Sequence, residues 1–190
     1  MNIVFEVNHP GQVHLIRHTY HQLTRNGHFV TVFAKDEKII FRLLNHYNIP
    51  FFNIGNKGAD KKGKLLKQLL FDFKLLRFVW LKKIEIGVGS SITNDHVSIF
   101  SRMKSIHLSD DDEEIVPLIT KYSYPYTDTI LAPDSLTFNK FSHKTISYAG
   151  THELAYLHPK RFQPDANVLK EAGLAEGETF YILRFVALAG

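Results

Sequence analysis

Four stretches of this sequence combine residue types that do chemistry with a spacing that would bring them together. Histidines at positions 14, 18 and 21 follow the helical repeat, a spacing that could present imidazoles to a metal ion. Five carboxylates run without a break from Asp110 to Glu114. A carboxylate there could bind sugar hydroxyls or take a proton from one as general base. Gly87-Val88-Gly89-Ser90-Ser91 joins two glycines to two hydroxyls, which suits a plain turn or a place where a ligand touches backbone. Asn8-His9-Pro10-Gly11 allows a sharp turn into a helix whose first N–H groups can face an anion.

Each stretch also has a plainer reading. A zinc site would need a third or fourth ligand and a rigid outer shell, so a solvated histidine face outweighs metal, and no metal or cofactor is expected. His14 alone, in the first helical turn, is placed to reach a ligand. Asp110 and Glu113 have capping-box spacing, and carboxylates at a helix start complement its dipole, although five exceed what capping needs. Gly11 stands by itself near the first turn, so the dinucleotide fingerprint G-x-G-x-x-G is missing.

The elements that must position these residues follow a strand–helix rhythm. Apolar runs at 2–8, 28–34, 51–54, 84–88, 104–109, 128–133 and 144–150 read as strands. Helical patterns fill 12–26, 36–47, 61–83, 94–103, 113–124 and, more weakly, 135–142. This alternation predicts an α/β fold, a Rossmann-like doubly wound parallel sheet. In such a sheet ligands bind beyond the carboxyl ends of the strands. The loops at His9, Gly89 and Asp110 all fall there, so they outline one crevice. In the first helix Leu15, Ile16, Thr19, Tyr20 and Leu23 share one side, His14, His18, His21 and Arg25 the other, and Gly27 stops it.

After Gly150 the pattern changes. Residues 1–150 are expected to form the sheet domain, 151–178 a linker with a short helix at 166–174, and 179–190 the first strand of a second domain, at 180–186. A strand with no successor reads as a truncation.

The totals exclude several classes. The chain has 190 residues and no cysteine, so disulfides and thiolate metal sites are out. Its start, MNIVFEVNHP, is not a secretory signal, and no run approaches a membrane span of about 20 residues, so a cytoplasmic protein is expected. The net charge is +4, yet residues 57–83 hold nine Lys or Arg against Asp60 and Asp72. That basic helix carries Leu65, Leu66, Leu69, Leu70, Phe73, Leu76 and Trp80 as a stripe expected to face the core, widened by Leu75, Phe78, Val79 and Leu81. The alternative is an apolar surface resting at the inner face of an anionic membrane, or holding a lipid-linked substrate. Aromatics do not alternate with its lysines, which speaks against nucleic acid.

Two motifs, VNHPGQVHLIRH at 7–18 and GTHELAYLHP at 150–159, resemble a prokaryotic family known only as a domain of unknown function. That family is similar to GT-B glycosyltransferases and, in outline, to UDP-N-acetylglucosamine 2-epimerases. The likeness takes in the Arg25-Asn26-Gly27-His28 turn, Gly89-Ser90, the acidic run, His152-Glu153-Leu154 and Leu183-Arg184-Phe185-Val186. It implies two Rossmann-like domains across a cleft, with a nucleotide-sugar donor held mainly by the second, absent one. It further implies that His9, Gly11, Gln12, His14, Gly89, Ser90, Asp112, His152 and Glu153 line the acceptor side, for a sugar or lipid-linked acceptor. His14 or one of Asp110, Asp111 and Glu113 would be the base. A sugar transferase of polysaccharide or glycoconjugate synthesis, needing no metal and inactive as this piece alone, is the leading expectation. A nucleotide-sugar 2-epimerase and a non-catalytic binding module are the rivals, and a homodimer is left open.

Overall fold

The computed structural model describes residues 1–56, 61–165, 167–175 and 177–183. Met1–His158 form one compact unit and the chain from Pro159 a second. The first holds seven strands among the described residues: β1 (Asn2–Val7), β2 (Phe29–Lys35), β3 (Phe51–Gly55), β4 (Ile86–Gly89), β5 (Lys104–Leu108), β6 (Thr129–Pro133) and β7 (Thr145–Tyr148). All pair in parallel in the order β3-β2-β1-β4-β5-β6-β7. The α/β class and the Rossmann-like parallel sheet expected from the rhythm are thus found. The chain walks outward from β1 to β3, then returns to place β4 against the other side of β1. The strand order therefore reverses between β1 and β4, where such sheets open a crevice at their carboxyl edge.

The connecting helices are α1 (Pro10–Arg25), α2 (Lys38–His46), α3 (Lys61–Lys82), α4 (Ile92–Ile99) and α5 (Pro117–Tyr122), followed by the short α6 (Leu154–Leu157). Strand side chains alternate between the faces. Ile3, Phe5 and Val7 pack with Val13, Ile16 and Tyr20 of α1 and with Ile40 and Leu44 of α2. Val4, Phe33 and Ile54 pack on the opposite side with Phe71, Leu75 and Val79 of α3 and Val97 of α4. A third cluster, around Tyr124, Ile130, Ala132 and Phe141, closes the β6 end. Burial on both faces explains why these strands read as nearly unbroken apolar runs.

The structure corrects the sequence reading at α3. Its core side is Phe71, Leu75 and Val79, with Gln68 and Asp72 turned toward α4. The stripe expected to face inward is largely in solvent: Leu65, Leu66, Leu69, Leu70, Phe73 and Trp80 are each at least half exposed. Apolar residues lie on both sides of this helix, so periodicity does not choose between them. The choice falls to the polar partners that α4 offers: Gln68 Nε2 donates to Thr93 Oγ1 at 3.1 Å, and His96 Nδ1 lies 3.0 Å from Asp72 Oδ2.

Two further helices differ from expectation. The one predicted at 113–124 begins only at Pro117, a residue suited to a first helical position, so the acidic run precedes it as loop and Asp110 with Glu113 is no capping box. The one predicted at 135–142 is absent. The backbone N–H groups of Thr137, Asn139 and Lys140 donate to Asp112 and Glu113 carboxylates instead of to helical carbonyls.

The second unit holds α7 (Asn167–Glu171), its end closed by Gly173 at φ +79° and by Leu174 N–H donating to Leu169 O at 2.9 Å. The strand expected at 180–186 is not formed over its described part. Phe180 to Leu183 lie in no strand, and Tyr181 and Ile182 are 88% and 83% exposed. A strand persists only against a hydrogen-bonding neighbour, and this unit has no other among its described residues. Arg184, Phe185 and Val186 lie outside the described residues.

Candidate functional site

Because every strand runs the same way, the loops after β1, β4, β5 and β7 share one edge of the sheet. The β1–α1 loop is closed on itself. His9 is the N-cap of α1: its Nδ1 accepts from Gly11 N–H at 3.2 Å, and Gln12 N–H donates to His9 O at 3.0 Å. Gln12 Oε1 accepts in return from the N–H groups of Asn8, at 2.7 Å, and His9, at 3.3 Å. The N–H groups expected to wait for an anion are therefore already bonded, and His9 and Gln12 serve as caps. Gly11 sits beneath the His9 ring, which a Cβ would meet at 3.3 Å.

His14 lies in the second turn of α1, half-buried between two tyrosines. Its Nδ1 is 3.1 Å from the Tyr47 hydroxyl, and its ring lies 5.6 Å from that of Tyr47 and 5.5 Å from that of Tyr156. Burial, with the nearby Arg17 charge, holds the imidazole below its ordinary range. His21 Nε2 meets the backbone carbonyl of the same Tyr47 at 3.1 Å. His14 and His21 thus brace α1 against the end of α2. No group of three or more His, Cys, Asp or Glu poised for a metal occurs among the described residues.

Gly89 ends β4 in a tight place. A Cβ on it would sit 2.8 Å from Asn94 Nδ2 and 3.0 Å from Glu6 Cβ. Glu6 is not among the residues that the sequence pattern singles out, although a carboxylate inside the apolar run NIVFEV is its signal. It is 3% exposed, at the carboxyl end of β1. Asn8 Nδ2 donates to its Oε1 at 3.0 Å, while Oε2 and both polar atoms of the Asn94 side chain are buried without a partner among the described residues. Burial pushes the Glu6 carboxyl up, against hydroxyls of Ser91 and Thr93 that favour its charge. Ser91 caps α4 by accepting from Thr93 N–H at 3.3 Å, and Ser90 before it is half-buried.

The five carboxylates divide. Asp112 Oδ1 accepts from Thr137 N–H at 2.6 Å, and buried Glu113 Oε1 accepts from Asn139 and Lys140 N–H at 3.0 and 2.9 Å. These two anchor the loop after β6. Asp110 and Asp111 are exposed. The charge of Asp110 reaches Tyr124, Tyr148 and His152, and burial beside these carboxylates pushes the Tyr124 hydroxyl up to about 12.

After β7, Gly150 turns at φ +124° against Leu154, whose Cδ1 would meet a Cβ at 2.6 Å. His152 then stacks on Tyr148 with ring centroids 6.1 Å apart and the planes 19° from parallel. His152 Nε2 and the Tyr148 hydroxyl are both buried without a partner among the described residues. Burial holds His152 below its ordinary range while Asp110 and Glu153 act the other way. Exposed Glu153 is lowered by the Thr151 hydroxyl, and its charge reaches Tyr156, the neighbour of His14. Tyr148 and His152 form the polar end of an apolar cavity of about 540 Å³, floored by Ile3, Phe5, Val88 and Leu108 beside α1.

Of the residues singled out in sequence, the fold therefore gathers Asp110, His152 and Glu153, with His14 one ring away across Tyr156. It sets Gly89 against Glu6, with Ser90 next in the chain. It assigns His9, Gln12, Asp112 and Glu113 to holding loops and helix ends. The gathered set can accept a proton, donate hydrogen bonds to hydroxyls and present one neutral imidazole.

A family profile described as a protein of unknown function, DUF354, matches residues 1–188. No curated protein matches the chain. Among solved structures it is similar to the UDP-GlcNAc 2-epimerase from Neisseria meningitidis bound to UDP-GlcNAc, with TM-score 0.63 and 10% identity over 92% of this chain and 52% of that one. It is similar to MurG from Acinetobacter baumannii, with TM-score 0.60 and 16% identity over 80% of this chain and 45% of that one. It is also similar to Anabaena Alr3699/HepE in complex with UDP, with TM-score 0.59 and 11% identity over 91% of this chain and 50% of that one. The chain spans about half the length of these proteins, and the likeness is one of fold.

Proposed function

This chain belongs to the DUF354 family, and we propose that it is the acceptor-side half of a GT-B-like glycosyltransferase that uses a nucleotide-sugar donor. The observation that carries this reading is the exposed Asp110 beside the buried His152 Nε2, which has no hydrogen-bond partner among the described residues, at the carboxyl edge of the sheet. The UDP held by the Anabaena protein and the UDP-GlcNAc held by the Neisseria epimerase support a nucleotide sugar as donor. Its nucleotide falls to a second lobe facing this rim.

In the proposed reaction an acceptor hydroxyl hydrogen-bonds to His152 and Asp110. The bond from the sugar's anomeric carbon to the diphosphate oxygen breaks, and the bond to the acceptor oxygen forms through an oxocarbenium-like centre. The acceptor's proton passes to Asp110 as general base, and the nucleoside diphosphate leaves with the bonding electrons. His14, joined to the set through Tyr156 and Glu153, is the other candidate base. Asp111, Gly89 and Ser90 border the acceptor. Asp112 and Glu113 hold the loops that shape it.

The test is sugar transfer by a two-lobed version of the protein at saturating donor, with Asp110→Asn, His152→Gln and His14→Gln compared separately. Loss of turnover in Asp110→Asn, with donor affinity kept, is expected. Near-wild-type turnover in all three overturns the reading. The similarity to 2-epimerases supports the second reading, isomerisation of the donor itself. Donor incubated without any acceptor is converted only in that case.

A further inference from the structure

The outward side of α3 is unlike the rest of the surface. At about 100° per residue, its positions from Leu65 to Leu81 leave an arc of roughly 160°, exposed except at the partly buried Leu76, in which Arg77 is the lone residue that is not apolar. Phe73 is 64%, Trp80 61% and Leu81 68% exposed. The arc continues past the helix, where Trp80 Nε1 donates to Phe100 O at 3.3 Å and Ile99 and Phe100 are 49% and 66% exposed. Single exposed leucines are common, but a contiguous apolar patch of this length marks a surface that something covers.

Charge identifies the cover. Arg77 lies within the arc, Lys74 borders it with its Nζ donating to Ile54 O at 3.1 Å, and Lys82, Lys83 and Arg102 stand at its end. The one acidic residue of the helix, Asp72, lies just outside the arc and is turned toward α4, half-buried against Gln68 and His96. Glu85, past the helix end, is occupied in accepting the Asn2 N–H at 2.8 Å. A second copy docked on this face would bring the two basic margins together. An anionic lipid surface meets both features at once, since apolar side chains enter the headgroup boundary and cations pair with phosphates. No helix among the described residues is long and apolar enough to cross a membrane, so the contact lies in the plane of the leaflet.

We propose that the exposed face of α3 is a membrane-docking surface for anionic lipid, with Leu65, Leu69, Phe73 and Trp80 as its apolar contact. This contact stands whether or not the rim transfers a sugar.

Trp80 is the single tryptophan of the chain, so its fluorescence reports on this face alone. Vesicles of phosphatidylcholine with phosphatidylglycerol are expected to shift its emission to the blue and to carry the protein down on sedimentation, more weakly as salt rises. Phosphatidylcholine alone binds far less. Leu69→Ser with Phe73→Ser, and separately Lys74→Glu with Arg77→Glu, are each expected to weaken vesicle binding by about tenfold or more. All four residues are on the exposed side, and an unchanged thermal midpoint shows that the variants fold. Absence of a blue shift and of co-sedimentation overturns the proposal, as does undiminished binding by both variants. Self-association without lipid that the Leu69/Phe73 variant abolishes, measured by sedimentation velocity, also overturns it and gives the face to a second copy.

Discussion

Glu6 and Gly89 meet across the β1–β4 pairing, where the strand order reverses: a side chain begun at position 89 would lie 3.0 Å from Glu6 Cβ and 2.8 Å from Asn94 Nδ2. Neither neighbour is the free end of a flexible chain in open solvent, since Glu6 and Asn94 are 3% and 1% exposed. Gly89→Ala is therefore expected to destabilise the first unit by about 1–3 kcal/mol through overpacking. Urea denaturation measures it. An unchanged midpoint would show that Glu6 or Asn94 gives way freely.

Glu6 itself titrates in the direction set by burial. Its folded pKa is raised above the ordinary 4.5, so the folded state keeps its proton when the unfolded chain has lost it. The stability tied to that proton is complete below the ordinary value and is lost as pH rises from there through the raised one. Glu6→Gln keeps the shape and removes the titration. Its thermal midpoint is expected to exceed that of the natural protein at neutral pH and to converge with it in acid. Parallel midpoints across the range would contradict the burial argument.

Asp72 and His96 join α3 to α4, and His96 Nε2 also reaches Tyr122 O at 3.0 Å. The Asp72 hydrogen bond raises the His96 pKa above 6.5 against partial burial. This contribution is complete below 6.5 and fades as pH rises through the elevated value. Asp72→Asn is expected to lose stability at pH 5.5 and to differ less at pH 8.5, with roughly 0.5–1.5 kcal/mol at the acid end as for a partly exposed hydrogen bond. An equal loss at both pH values would mean that the histidine charge plays no part.

Glu113 and Asp110 should separate stability from activity. Glu113→Ala leaves the Asn139 and Lys140 N–H groups without their acceptor, expected to cost about 1–3 kcal/mol and to loosen the loop after β6. Asp110→Asn, at an exposed position, should leave the denaturation midpoint within roughly 0.5 kcal/mol while abolishing transfer in the two-lobed protein. Amide exchange at positions 134–141 distinguishes them, rising in the Glu113 variant alone.

Much of the fold was legible because its signals are local. Apolar runs such as NIVFEV and TILAP, separated by helical stretches, required a sheet covered on both faces, and seven parallel strands answer to the seven predicted for residues 1–150. The acidic run was legible as a place of interest but not as five different carboxylates. Neighbours in sequence point to different surroundings once the backbone turns, so Glu113 is buried under backbone donors while Asp110 stands at the rim. Tyr148 and Tyr156 carried no signal, since an aromatic in a strand or short helix looks the same whether it fills a core or faces a ligand.

The sequence by itself determined that strands and helices alternate, that polar loops fall at the carboxyl ends, and that one helix carries a concentrated positive charge. These follow from periodicity and composition, which depend only on near neighbours. Only the tertiary structure decided which side of α3 turns inward, that His9 and Gln12 close the helix they precede, and that Glu6 is a buried carboxyl at the strand reversal. Those outcomes depend on partners far away in the chain, such as Thr93 and His96 for α3 and Gly89 and Asn94 for Glu6. No local pattern encodes which of two apolar faces, or which of several polar groups, such a partner will meet.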